Sequence, residues 1–415
     1  MKKGSKKIVK NNSILLILIL LVLLLFGLYG IVNRDKELYM IDLINMDINE
    51  VMDMFNELEI NVKYRYDDNI DKNKIISQSI EDGILVNDGD KLDLVVSKGI
   101  VDLDKFRNDK INELGRVPIM MYHGIKNIKN NETNYIGGNV DKDGYTRTAE
   151  AFRNDLELYY QKGYRMIKLS DYINGDINVS YGYSPIILTF DDGNENNIKV
   201  LGLDDDGNII IDPNSAVGIL EEFKKKYPDY GISAIFFITN NLFNQPEYDE
   251  KIIEWLVNNG YEVGNHTRGH DNFSNIDSNK TQEVVGYMYN KLESIIGDRY
   301  SKIVALPFGS PYNKEHDNYK YIINGNYNGV EYETVAALRV GWEPEVSPFN
   351  KDFDKTFLKR CRAYDNNGMD FDIEMVLRIL DKDRYISDGD IDTIVINKEY
   401  NDKISNIYDK ELILY

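Results

Sequence analysis

The chain has 415 residues, a length that predicts two or three domains at about 150 residues each. Hydrophobic residues make up 42% of it, which suffices for a sizeable core and excludes disorder of most of the chain. The net charge of −20 repels phosphate backbones and excludes general nucleic-acid binding. The single cysteine, Cys361, excludes an internal disulfide, a Cys-rich zinc site and a CxxC redox centre.

The N-terminal region predicts a membrane anchor. A basic tail, residues 1–12, precedes an apolar segment, residues 13–33, whose uncharged run from Ile14 to Val32 would span about 28 Å as a helix. A cleaved signal peptide is the alternative, but no alanine occurs before Ala149, so the A-x-A-like pattern of its cleavage site is missing. The positive-inside rule puts the tail in the cytoplasm. We therefore expect a single-pass cell-membrane protein whose remainder, with a net charge of −25, is extracellular.

Residues 35–99 predict a small α+β domain. Apolar side chains recur at helical spacing after Asp47, a residue type that favours the N-cap of a helix. Two runs of alternating character, 61–66 and 91–97, predict strands. The next stretch, residues 100–116, is charged and has no turn-rich segment, so it predicts a short helical or extended linker.

This small domain resembles the PASTA domains of bacterial wall enzymes and kinases. The matching residues are Asp42-Leu43-Ile44, Asp47, Ile76-Ser77-Gln78-Ser79, Gly83, Gly89-Asp90 and Leu94-Val95-Val96-Ser97-Lys98-Gly99. Three positions depart from the family pattern: Ile41, Asn45 and Ile80. The resemblance implies either a wall-binding module or a spacer, and both interpretations stay open.

From Val117 onward, strand-like runs alternate with amphipathic helical patterns. The predicted strands are 117–122, 165–169, 185–190, 232–239, 261–265, 303–306, 334–340 and 393–397, and the predicted helices are 148–162, 214–227, 249–259, 279–296 and 370–380. This alternation predicts an α/β domain with a parallel sheet, open or closed into a barrel. In either form, the chemistry gathers at the carboxyl ends of the strands.

Polar residues follow several of these strands. Asp191 and Asp192 end a buried run, and because adjacent residues point to opposite faces, one could bind a metal while the other faces a substrate water. His266 and His270 are four apart, which would place both imidazoles on one side of a helical turn. Two imidazoles and a carboxylate suit Zn²⁺ or a similar divalent ion. The structural alternatives are an Asp-Gly turn, solvated loop histidines and, for His123 at another strand end, a histidine with a purely structural role.

Together these motifs resemble the polysaccharide deacetylase family (NodB homology, carbohydrate esterase family 4), over roughly residues 117–415. The residues that carry the resemblance are Thr189-Phe190-Asp191-Asp192-Gly193 and His266-Thr267-Arg268-Gly269-His270. The family fold is a distorted (β/α)7 barrel. The resemblance implies a general base and three ligands for a divalent metal, either zinc or alternatively cobalt or nickel. It also implies an oxyanion and substrate wall. Asp191 would be the general base, and Asp192, His266 and His270 would be the metal ligands. The oxyanion and substrate wall would consist of Pro307, Phe308, Tyr312 and Trp342.

Two features of that family are missing. Ala305 stands where the family usually has an arginine, and three arginines could replace it: Arg268, Arg360 and Arg362. No histidine follows His316, so the usual C-terminal catalytic histidine is absent. The Met-Tyr-His-Gly element at 121–124 resembles that of deacetylases acting on poly-N-acetylglucosamine, which makes His123 the expected catalytic acid.

The sequence therefore predicts a membrane-anchored, metal-dependent deacetylase of N-acetylated amino sugars. Its partners would be an N-acetylated glycan, the bacterial cell wall and, through the N-terminal helix, the membrane. The PASTA-like domain favours peptidoglycan as the substrate, whereas the element at 121–124 favours poly-N-acetylglucosamine. The missing arginine leaves an alternative, a catalytically inactive glycan-binding or wall-sensing membrane protein.

Overall fold

A computed structural model of the protein describes residues 38–415. The predicted basic tail, 1–12, and membrane anchor, 13–33, lie outside the described residues. Within the described part, no helix is both long and apolar enough to cross a membrane. The chain divides into two compact units at Val101.

The first unit has one helix and two small sheets. Its elements are β1 (Leu38–Tyr39), α1 (Ile48–Met54), β2 (Glu59–Arg65), β3 (Ile75–Gln78), β4 (Leu85–Val86) and β5 (Lys91–Ser97). Strand β5 is central, parallel to β2 and antiparallel to β3, while β1 pairs with β4. The predicted α+β arrangement of this region is thereby confirmed.

The helix of the first unit begins where the sequence predicts. The Asp47 side chain accepts a hydrogen bond from the Asn49 N–H at 3.0 Å and so caps α1. Val51 and Phe55 are buried in a core shared with the sheet. The Gln78 side chain accepts from the Leu43 N–H at 2.6 Å and donates to two backbone carbonyls, so it holds the chain before α1 against the sheet.

The segment predicted as a linker folds with the second unit. Helix α2 (Leu103–Asp109) begins this unit, and Ile111 is fully buried. The Glu113 carboxylate is also buried and accepts hydrogen bonds from the Tyr385 hydroxyl and the Val395 N–H, both at 2.8 Å. The charges of the segment predicted a linker, but its buried acid, Glu113, is hydrogen-bonded to other groups of the second unit.

The remaining elements of the second unit alternate between strands and helices. They are β6 (Ile119–Tyr122), β7 (Ile125–Lys126), β8 (Arg147–Thr148), α3 (Ala149–Gln161), β9 (Tyr164–Met166), α4 (Leu169–Asn174), β10 (Ser184–Phe190), β11 (Val200–Leu203), β12 (Ile209–Ile211), α5 (Ala216–Lys226), β13 (Ile235–Ile238), α6 (Asp249–Asn258), β14 (Glu262–Asn265), α7 (Ser278–Ile296), β15 (Ile303–Ala305), α8 (Tyr319–Ile323), β16 (Asn324–Tyr327), β17 (Val330–Glu333), β18 (Ala336–Leu338), β19 (Cys361–Arg362), α9 (Ile373–Asp383), β20 (Thr393–Ile396) and β21 (Glu411–Leu414).

The main sheet of this unit is parallel and curled. Its strands run in the order β18-β15-β14-β13-β10-β6-β19, with β9 added beside β10. A parallel bridge joins Leu338, the last residue of β18, to Leu358 in the segment that leads into β19. The sheet is therefore curled into a half-barrel, which is consistent with the expected (β/α)7 fold.

One predicted strand occupies a different place. Residues 393–397 were expected to belong to the main sheet, but β20 pairs with β21 in a separate parallel ribbon. The short strand β19 instead pairs with β6. Its sequence, with arginines at 360 and 362, lacks the apolar run that marks the other strands, so hydrophobic patterning gives no sign of it.

The sheet is buried on both faces. Ile187, Ile235 and Ile303 belong to one core cluster, whereas their neighbours Leu188 and Phe236 belong to another that includes the flanking helices. Successive side chains of a strand alternate between faces, so each strand contributes to both clusters. The carboxyl ends of the parallel strands therefore meet at one rigid edge.

Candidate active site

The predicted catalytic and metal-ligating residues meet at that edge in one cavity of about 300 Å³. Each follows a different strand: His123 comes after β6, Asp191 after β10, His266 after β14, and Phe308 lies in the loop after β15. The residues that line the cavity are His123, Gly124, Tyr145, Thr146, Asp191, Asp192, Asn194, His266, His270, Leu306, Phe308 and Val340. Their convergence follows from the parallel direction of the strands.

Asp192, His266 and His270 present ligand atoms that lie within 4.8 Å of one another. The Nε2 atoms of His266 and His270 lie 3.3 and 3.5 Å from the same oxygen of Asp192. The Nδ1 of His266 lies 2.9 Å from the Ala305 carbonyl oxygen and can donate to it, which leaves the Nε2 lone pair free. This Nε2 is buried without a hydrogen-bond partner in the described residues, so the three side chains fit a divalent cation.

The loops that carry these residues are bent sharply. Four residues of the site have a positive φ although none is glycine: Asp192 (75°), Thr267 (66°), His270 (59°) and Phe308 (59°). Backbone of this kind costs free energy and persists only where the surroundings hold it. The segment 266–270 is consequently a tight turn rather than the predicted helical turn. The Asn265 side chain, which accepts from the Thr267 N–H at 2.8 Å, stabilises it.

Asp191 lies beside the metal-ligand group but is bound differently. Both of its oxygens accept hydrogen bonds from the Arg360 guanidinium at 2.7 Å, and both side chains are buried. Burial alone would raise the pKa of Asp191, yet the pKa is held below its ordinary value, chiefly by the charge and hydrogen bonds of Arg360. The carboxylate is thus ionised at neutral pH and held in one orientation.

His123 forms the opposite wall of the cavity. Its carbonyl accepts a hydrogen bond from the Asn197 side chain at 2.6 Å, and its ring packs edge-on against Tyr145 at 4.8 Å. The buried Nδ1 has no hydrogen-bond partner among the described residues. Burial lowers the pKa of His123, and the charges of Asp191 and Asp192 oppose that shift. The free imidazole is therefore neutral at neutral pH and able to take up and pass on a proton.

Two stretches of the chain match known families. Residues 180–321 match the family model described as polysaccharide deacetylase, and residues 39–98 match the PASTA domain. The chain contains a polysaccharide deacetylase domain and a PASTA domain. It is accordingly a deacetylating hydrolase. No curated protein sequence matches the chain significantly.

Solved structures similar to the chain include a deacetylase, a de-N-acetylase and IcaB. The Streptococcus pyogenes deacetylase PplD in complex with acetate is 15% identical and has a TM-score of 0.43, covering 60% of this chain and 93% of that one. A de-N-acetylase from Aggregatibacter actinomycetemcomitans is 14% identical, with a TM-score of 0.38 and coverage of 59% and 94%. IcaB from Ammonifex degensii is 16% identical, with a TM-score of 0.35 and coverage of 59% and 91%.

The deacetylase domain does not bring every predicted substrate residue into the catalytic cavity. Phe308 lines it and packs edge-on against His270 at 4.5 Å, while Pro307 is buried behind. Tyr312 is 67% exposed and lies outside the lining. Trp342 lines a second cavity of the same domain. Tyr145 lines the catalytic cavity, and no motif in the sequence indicated it.

Three arginines of the sequence could replace the one that is missing at position 305. Of these three, Arg360 lies beside Asp191. Arg268 instead pairs with Glu283 at a partly exposed site, and Arg362 lines the second cavity. Arg360 also donates to the Thr189 hydroxyl at 3.2 Å and to the Arg339 carbonyl at 3.2 Å. Of the three arginines named from the sequence, Arg360 is thus the one that contacts Asp191.

The Arg360→Gln variant tests this assignment. Loss of the guanidinium leaves a buried carboxylate unpaired, which should lower the free energy of unfolding by about 3–5 kcal/mol. Urea unfolding of the purified protein at pH 7 measures the change. The double variant Arg360→Gln/Asp191→Asn removes both charges and should recover most of the loss. Equal stability of the single variant and the wild type would show that the pair does not hold the site.

Proposed function

We propose that the protein removes acetyl groups hydrolytically from N-acetylated amino sugars of cell-wall or extracellular polysaccharide, in a metal-dependent reaction. The observation that carries the proposal is the convergence of an ionised Asp191, a three-residue ligand group and His123 around one cavity. The ligand group is Asp192, His266 and His270. Two imidazole nitrogens and one carboxylate favour zinc, with cobalt or nickel as alternatives.

A divalent ion in that group would supply Lewis-acid chemistry, which makes a water more acidic and so offsets the weak basicity of Asp191. Asp191 takes the proton of the attacking water, since Arg360 keeps it ionised and in place. The water oxygen bonds to the acetyl carbon, and the Phe308 N–H is the expected oxyanion donor. His123 first takes up a proton from solvent and delivers it to the leaving amine as the carbon–nitrogen bond breaks. Asp191 then releases the water proton to solvent, so the products are acetate and a free amino sugar.

The membrane anchor and the wall remain part of the proposal. The lysines of residues 1–12 and the apolar segment 13–33 support a single-pass protein with a cytoplasmic N-terminus and an extracellular catalytic domain. The PASTA domain supports a cell-wall context. A catalytically inactive glycan-binding protein is disfavoured, because such a protein has no need of a buried, ionised carboxylate beside a ligand group.

The Asp191→Asn variant separates catalysis from metal binding. Asparagine cannot accept the proton, so the rate of acetate release should fall by about 10²–10⁴-fold while bound metal is retained. Acetate is measured with residues 34–415 on peptidoglycan and on chito-oligosaccharides, with and without a chelator. The exposed hairpin residue Asp204 supplies the matched control, Asp204→Asn, which should behave as wild type. Wild-type acetate release by Asp191→Asn would refute its role as base.

The His266→Ala variant tests the ligand group itself. Removal of one of three ligands should reduce metal affinity by at least about 100-fold and abolish acetate release. Bound metal is measured by elemental analysis after dialysis against a fixed free-metal concentration. The His316→Ala variant, which changes the histidine outside the cavity, is the control and should retain both properties. Full metal occupancy in His266→Ala would show that the ligand set is different.

A further inference from the structure

A second cavity of about 480 Å³ adjoins the catalytic one in the deacetylase domain. Trp342, Tyr364 and Phe371 contribute aromatic rings to its wall, and Asn139 and Asn366 contribute amides. Aromatic faces with a few polar groups are typical of sites for small polar ligands such as sugars. Tyr145 connects the linings of the two cavities, because its ring lies 4.8 Å from that of His123 in the first and 5.6 Å from the Arg362 guanidinium carbon in the second.

Arg362 is the charged group that distinguishes this cavity. It lies two residues beyond Arg360 on the same extended segment, so both side chains leave the chain on the same side. Arg360 is neutralised by Asp191, whereas no carboxylate oxygen of the described residues lies within 4.0 Å of the Arg362 guanidinium. Among residues 38–415, Arg362 donates only to the Asp143 backbone carbonyl, at 3.2 Å, and its buried Nε–H has no partner there.

Aromatic rings surround this unpaired charge. The guanidinium carbon lies 4.1 Å from the Tyr364 ring centre, 5.2 Å from that of Trp342 and 5.6 Å from that of Tyr145. Such contacts orient a guanidinium but leave its edge N–H groups without acceptors. A buried donor without an acceptor is unfavourable, so a ligand that supplies one gains free energy.

The acids and the lysine of the cavity do not neutralise Arg362. Asp365 accepts from the Asn367 N–H at 3.1 Å, and Asp370 accepts from the Asn366 side chain at 2.8 Å, so both carboxylates stabilise their own loop. Asp143 and Lys142 also line the cavity and are exposed. Because the chain as a whole is strongly acidic, an anion would be held here only by a specific local donor.

We propose that the second cavity binds a sugar that carries a carboxylate, next to the N-acetylated sugar in the catalytic cavity, and that Arg362 recognises this carboxylate. The proposal rests on the deacetylase function proposed above. The planar guanidinium matches a carboxylate through two parallel hydrogen bonds, while Trp342 and Tyr364 offer faces for the sugar ring. The carboxylate could belong to the lactyl group of a muramic acid or to a uronic acid.

Matched substrates test this proposal with the full chain. The substrates are an N-acetylglucosamine–N-acetylmuramic acid tetrasaccharide with a free lactyl carboxylate, the same tetrasaccharide with that group amidated, an N-acetylglucosamine–uronic acid tetrasaccharide, and neutral chitotetraose. We expect kcat/KM of the wild type to be at least about tenfold higher for one acidic substrate than for the neutral ones. Whether the muramic or the uronic acid is preferred identifies the source of the carboxylate.

Two variants assign that preference to Arg362. In Arg362→Gln the ratio of kcat/KM for acidic over neutral substrates should fall to about one, and Arg362→Lys, which keeps the charge but not the planar fork, should give an intermediate ratio. Arg299→Gln removes an exposed arginine before β15, at the opposite end of the sheet, and should keep the wild-type ratio. An unchanged ratio in Arg362→Gln would overturn the proposal.

Ligand binding gives a readout that does not depend on turnover. Quenching of Trp342 fluorescence by the four oligosaccharides, with Trp342→Phe to identify its signal, measures affinity directly. If the wild type binds the acid more tightly than its amide, and Arg362→Gln does not, the result supports the carboxylate site. This holds even if no substrate releases acetate, and in that case only the proposed deacetylation fails. Equal binding of acid and amide would refute the site.

Discussion

The buried ion pair between Asp191 and Arg360 is the interaction on which the deacetylase domain depends. Two charges taken out of water cost several kcal/mol each, and only close contact with good hydrogen bonds offsets that cost. Here both carboxylate oxygens are engaged at 2.7 Å, and Arg360 is further held by a hydroxyl and a carbonyl. The geometry of the catalytic carboxylate is therefore inseparable from the packing of the domain.

The same pair joins two distant parts of the chain. Asp191 directly follows β10, near the middle of the sheet. Arg360 lies between Leu358, which is bridged to β18, and strand β19, which pairs with β6. Any shift in the closure of the sheet would separate the charges. Conversely, the strained turns of the site persist because the surrounding strands are buried on both faces. Fold and site are thus mutually stabilising.

Much of this arrangement could be predicted from the sequence, because its signals are local. Apolar runs that end in Asp191 or in His266 mark both the strands and the chemistry, and parallel strands bring their carboxyl ends together. The place of β19 could not be predicted, since a strand of only two residues, Cys361 and Arg362, has no hydrophobic pattern. Arg360 could be named only as one of three candidates, because a buried charge is recognisable only when its partner is located.

The segment predicted as a linker, residues 100–116, also shows that sequence patterns do not reveal long-range contacts. Its charges predicted a short helical or extended linker, but Glu113 is buried and accepts hydrogen bonds from groups nearly 300 residues later, such as the Val395 N–H. Hydrogen bonds between residues so far apart in the chain cannot be predicted from the composition of one segment. The hydrogen bonds that Glu113 accepts satisfy its oxygens, while burial and the nearby Asp388 raise its pKa well above the ordinary value.

The most direct test of the central claim is the pKa of the Asp191 carboxyl in the metal-free protein. It can be measured by carbon-13 NMR titration of aspartate-labelled protein, with Asp191→Asn to identify the signal. If Arg360 holds the carboxylate ionised, the pKa lies below the ordinary value of about 3.9 and rises in Arg360→Gln. A carboxyl that titrates at or above the ordinary value in the wild type would contradict the account.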